Sequence, residues 1–134
     1  MRDPMPFIPT AFVSLTILLV PVARARAADL DLSKLPPSAA TAVDYVKDIQ
    51  PLLSDHCVKC HGPEKQKGGL RLDNKASAFQ GGDDGKVLVA GKSAESRLIH
   101  LIAGLEPDTV MPPKGEPLSA AQIGLLRAWI DQGA

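Results

Sequence analysis

Apolar residues recur at helical spacing in separate stretches of this 134-residue chain. In the first, Val43, Val46, Ile49 and Leu53 fall along one broad side, with Thr41 placed as N-cap and Asp44 at N3. Pro51 is expected to bend or restart that helix, and Tyr45, near the side of Ile49 and Leu52, reads as a half-buried packing aromatic. A second helix is predicted from Ala94 to Ala103 with Ser93 as N-cap; Leu98, Leu101, Ile102 and Leu105 form its buried side. His100 then points the other way, toward solvent. The last helix carries the strongest signals: Ser119 and Gln122 have capping-box spacing, Leu118 and Ile123 can form a hydrophobic staple, and Gly133 supplies a stop. Its stripe of Ile123, Leu126, Trp129 and Ile130 needs a partner, and the Val43–Leu53 helix is the expected one. Between them, KGGLRLDNKASAFQGGDDG predicts turns around one short helix over Lys75 to Gln80. The pattern is that of a small all-α domain.

The N-terminal region does not belong to that domain. Residues 7–23 are an apolar run, short and interrupted by proline, and they precede Ala23-Arg24-Ala25 and Ala25-Arg26-Ala27, which have the small-residue form of a signal-peptidase site. A cut after Ala27 makes residues 1–27 a signal peptide; an uncleaved N-terminal membrane tether is the alternative. Residues 28–40, polar and Pro-containing, read as a flexible leader, and 41–134 as the folded domain, with no repeat or second domain. The whole chain is neutral, with 15 basic and 15 acidic residues; loss of 1–27 leaves 12 against 14, a net charge of −2. Such a balance gives no reason to expect nucleic acid or an anionic membrane as partner.

Chemistry enters with Cys57-Val58-Lys59-Cys60-His61, which contains both cysteines of the chain. Two thiols at this spacing, followed at once by an imidazole, are what covalent attachment of a c-type haem requires: one thioether from each cysteine, and axial ligation of iron by His61. Export is consistent with this cofactor. The distal ligand is assigned to Met111, whose soft thioether suits haem iron and whose Val110-Met111-Pro112-Pro113 setting is stiff; His/Met ligation raises the reduction potential. Trp129 is expected to pack in the core first and to tune haem exposure second. Gly62 is expected to permit a close turn, and the Pro63 carbonyl is a candidate acceptor for the His61 ring proton. His56 reads as a polar neighbour of the motif.

Haem-free alternatives use Cys57 and Cys60 as a dithiol, or join them with His56 or His61 around zinc. The first lacks an evident βαβ setting, and the second has an awkward ligand spacing.

The stretches VKDIQPLLSDHCVKCHGPEKQKGGLRLD, Gly81 to Gly91, MPPKGEPLS and LRAWIDQGA resemble the planctomycete-type cytochrome c domain. HCVKCHG is generic to c-type cytochromes, whereas KGGLRLD and MPPKGEPLS narrow the match. The resemblance implies a class-I-like helical fold around one haem, attached at Cys57 and Cys60 and ligated by His61 and Met111. It also implies one-electron transfer with electron-donor and electron-acceptor proteins, or service as the electron-transfer domain of a larger extracytoplasmic enzyme. A peroxidase-like or ligand-binding module with an open distal site is the catalytic alternative; the chain has no clearly placed distal His/Arg pair for it.

Overall fold

The computed structural model describes residues 30–134, so the expected signal peptide lies outside the described residues. The first helix, α1, is built from three contiguous pieces, Tyr45–Ile49, Gln50–Leu53 and Ser54–Val58. It is followed by α2 (Lys75–Gln80), α3 (Arg97–Ile102) and α4 (Ala120–Asp131). Single 3₁₀ turns occupy Leu32–Lys34, Lys67–Gly69 and Ser93–Glu95. Among the described residues there is no strand; the only ladder pairing is two isolated bridges, His61 with Gln66 and Gly82 with Gly85. The fold is the expected small helical one.

The start of α1 departs from expectation. Asp44, not Thr41, caps it: the Asp44 carboxylate accepts from the Lys47 amide at 2.8 Å, and Asp48 accepts from the Asp44 amide at 2.9 Å. The carboxylate wins because it accepts the orphan donor with a full charge, and Asp48 returns the bond one turn later. Pro51 acts as expected. It has no N–H for Lys47 and its ring crowds that carbonyl, and the turn before it is wide, with the Gln50 amide reaching back to the Tyr45 carbonyl. The widened turn re-aims the side chains. Ile49 and Leu53 are buried as expected, whereas Val46 is 69% exposed.

The α4 signals are all realised. Ser119 and Gln122 exchange both capping-box bonds, and Leu118 and Ile123 are both buried. At the other end the Gly133 amide bonds to Ile130 and the Ala134 amide to Trp129, a Schellman closure. Ile123, Leu126 and Ile130 are buried against Ile49 and Leu53 of α1, Leu72, Ala78 of α2, and Leu98, Ile99 and Ile102 of α3 in one core. The α1–α4 crossing is sealed by Tyr45 and Trp129, whose ring centres lie 5.8 Å apart.

α2 has the expected bounds, with Asn74 accepting from Ser77 as N-cap. α3 is shorter than expected, because Ser96 breaks the run in extended backbone and is itself buried. Its hydroxyl donates to the Lys92 carbonyl and accepts from the Val89 amide, bonds that a continuous helix from Ser93 would forgo. The exposed reading of His100 is corrected. Every residue from Leu98 to Ile102 is buried, and the Ser93–Glu95 turn folds back so that His100 Nε2 lies 2.7 Å from the Ala94 carbonyl oxygen.

Residues 30–40 lie along α4. Arg127 donates to the Pro36 carbonyl, Ser38 to Asp131, and the Ala39 amide to the Gly124 carbonyl.

Candidate functional site

The C-terminal end of α1 delivers Cys57, and the turn that follows delivers Cys60 and His61. One acceptor organises the turn: the Cys57 carbonyl takes the amides of both Cys60, at 3.0 Å, and His61, at 2.9 Å. The next segment folds back over it. The Lys67 amide bonds to the Cys60 carbonyl and the Leu72 amide to the His61 carbonyl, so the motif is held from both sides by backbone alone. Gly62 is needed for this reversal, because a Cβ there would lie 2.7 Å from Val58 Cγ1 and nearer still to the Val58 carbonyl oxygen.

Both thiols are free and half-buried. Burial pushes the Cys57 thiol up to about 11, so at neutral pH it is protonated and a poor nucleophile, unlike the thiolate of a reactive dithiol. Among the described residues no three His, Cys, Asp or Glu side chains converge as a metal-holding group, so the zinc alternative finds no ligand set.

His61 Nδ1 is buried and has no hydrogen-bond partner. The expected bond to the Pro63 carbonyl is therefore absent. Pro63 sits exposed in the turn that the Gly62 amide closes onto the Lys65 carbonyl. Buried polar atoms are almost always paired, and an orphan beside two free thiols is a place where a further group fits.

Met111 follows α3 in the chain and lies far from the motif in sequence. It is half-buried against the same core that Cys57 packs on, and its amide donates to the Leu101 carbonyl at 3.1 Å. The Met111–Pro112 peptide is cis.

An apolar cavity of about 340 Å³ adjoins this region, lined by Leu53, Leu72, Leu88, Leu98, Phe79 and Trp129, with Asp73, Asn74 and Lys75 among its polar lining residues. Leu53 precedes Cys57 by one turn of α1, and Leu72 is bonded to His61. Cys57, Cys60, His61 and Met111 are not among its lining residues. The cavity thus touches the motif's neighbours Leu53 and Leu72 and not the motif itself. Of the lining residues, Asp73 forms a bidentate pair with Arg71 at 2.9 and 2.6 Å, and the guanidinium holds the Asp73 carboxyl below its ordinary range.

These residues fit covalent haem in their chemistry: two unpaired thiols at the required spacing, an adjacent imidazole with an orphaned nitrogen, and a thioether packed on the same core.

Residues 57–115 match the family model described as Planctomycete cytochrome C. The match begins at Cys57 and takes in KGGLRLD and MPPKG; the α1 segment before Cys57 and all of α4 lie outside it. No curated protein and no solved structure matches the chain.

Proposed function

We propose, on the premise that this chain contains a Planctomycete cytochrome C domain, that it is a mono-haem electron carrier working outside the cytoplasm. Cys57 and Cys60 would hold the haem through thioethers, and His61 and Met111 would supply the ligands to its iron. The group supplies a one-electron iron couple when bound. The protein's part is to hold and shield it. The backbone at His61 is held by two bonds and that at Met111 by its bond to Leu101, and the apolar side chains of Leu53, Leu72 and Leu98 would help to exclude water from the group.

The observation that carries this reading is the turn that brings the free Cys57 and Cys60 thiols next to His61, at the start of the segment that matches the family model. The apolar run of residues 7–23 supports export, and no helix among the described residues is long and apolar enough to cross a membrane. Partners are then electron-donor and electron-acceptor proteins, met at an exposed haem edge.

The test is to express the chain with c-haem maturation machinery and record oxidised and reduced spectra, adding CO to the reduced protein. A covalent, low-spin c-type spectrum that changes little with CO is expected. Haem attachment with a rapid CO adduct would replace the carrier reading by the open-site alternative, and no covalent haem beside a maturing control would end both.

A further inference from the structure

The segment from Gly104 to Met111 is a closed loop. Its two ends meet on one atom: the Leu101 carbonyl accepts from the Gly104 amide at 3.3 Å and from the Met111 amide at 3.1 Å, while Leu105 bonds to His100 at 2.9 Å. Along this loop one side chain makes hydrogen bonds. Glu106 receives Arg97 Nε at 2.8 Å and Arg97 Nη2 at 2.9 Å, two parallel bonds across nine residues of sequence from the first turn of α3. Asp108, two residues on, sits at φ 61, a left-handed conformation that costs an aspartate some energy, which contacts elsewhere in the loop must offset.

We propose that the Arg97–Glu106 pair is a clasp that keeps this loop shut and so holds Met111 in place as a ligand; Arg97 and Glu106 are positioning residues. The inference rests on the His61/Met111 ligation given above. The fork geometry matters, because a guanidinium and a carboxylate joined by two bonds fix orientation as well as distance, which a lysine cannot do. The Glu106 carboxylate is only 17% exposed, so the pair is better shielded than an ordinary surface ion pair. Asp84, at 3.5 Å from Arg97 and 83% exposed, adds little.

The functional consequence is control over the distal site. With the clasp closed, an external ligand reaches iron only in the small fraction of molecules whose loop has opened. Its apparent association rate scales with that fraction. Losing the clasp raises the rate without changing the attachment of the haem.

The haem-loaded proteins to compare are wild type, Glu106→Gln, Arg97→Lys, the swap Arg97→Glu/Glu106→Arg, and Met111→Ala. Two quantities are read: CO association to the reduced form, and hydrogen exchange at the Gly104, Leu105 and Met111 amides against the α4 amides. In E106Q, CO association and loop exchange both rise about three- to tenfold with α4 exchange unchanged. R97K gives a similar rise, the swap recovers at least part of it, and M111A sets the upper limit. If E106Q leaves loop exchange and CO association at wild-type values while M111A opens the site, the clasp is wrong and the ligation stands. If M111A itself matches wild type, the ligation fails and the clasp's role falls with it.

Discussion

The Asp131 carboxylate accepts both the backbone amide of Ser93, at 2.8 Å, and its hydroxyl, at 3.0 Å, joining the end of α4 to the turn that begins the α3 segment. Ser93 is 1% exposed, so neither of its donors has water as an alternative. The same carboxylate takes the Ser38 hydroxyl at 3.0 Å, and Arg127 donates to Ser93 Oγ at 3.1 Å. One acid thus secures three parts of the chain.

Asp131→Ala is expected to cost about 1–2 kcal/mol at neutral pH, chiefly by leaving the buried Ser93 amide and hydroxyl unpaired. Burial raises the Asp131 pKa, but the bonds from Ser93 and Ser38 and the charge of Arg127 outweigh it, and the folded value lies below the ordinary 3.8. A carboxyl with a depressed folded value contributes stability above its unfolded pKa and loses it as pH falls through the folded one. The deficit of D131A against wild type should therefore be full at pH 6 and shrink below about pH 4. Urea unfolding at several pH values reads this; a deficit that grows on acidification would contradict it.

Gly124 lies where the leader crosses α4. A Cβ there would stand 2.8 Å from the Pro37 carbonyl oxygen, a backbone atom that cannot simply rotate away. Gly124→Ala improves helix propensity by about 1 kcal/mol, and so α4 itself should hold. The leader should lift instead, breaking the Ala39–Gly124 bond. Proteolysis at residues 30–40 is expected to rise several-fold while exchange within α4 stays slow. Unchanged leader protection would show that the contact is absorbed elsewhere.

Tyr45 and Trp129 meet at a 37° tilt across the α1–α4 crossing. Aromatic pairs of this kind contribute about 0.5–1.5 kcal/mol beyond the area they bury. A double-mutant cycle through Tyr45→Leu and Trp129→Leu should show coupling of about 0.5 kcal/mol or more. Additive losses within measurement error would reduce the two rings to independent packing.

Much of the candidate site is visible in one dimension because haem attachment is a local chemistry. Cys57, Cys60 and His61 are near neighbours in sequence, so their relation needs no fold to be seen, and the family match begins at Cys57. The capping box at Ser119 and Gln122, the Asn74–Ser77 cap and the apolar stripe of α4 are legible for the same reason: each is a relation within one or two turns.

The misread elements depend on what lies across space. Val46 has the spacing of a core residue, yet the wide turn ahead of Pro51 rotates it into solvent. His100 has the spacing of an exposed residue, yet Ala94 returns over it and takes its ring nitrogen. Periodicity assumes a regular helix with one covered face, and α1 breaks the first condition while α3 breaks the second.

By itself, then, the amino-acid sequence determined the helical class of the domain, the α4 helix with both its ends, and the Cys57, Cys60 and His61 spacing that is consistent with haem attachment, because side-chain identity and short-range spacing settle these. Tertiary structure alone decided that His100 is buried, that residues 30–40 lie along α4, and that Arg97 reaches Glu106 within the Met111 loop. Those outcomes turn on which donor finds which acceptor after distant segments have packed together, and no local pattern encodes that choice.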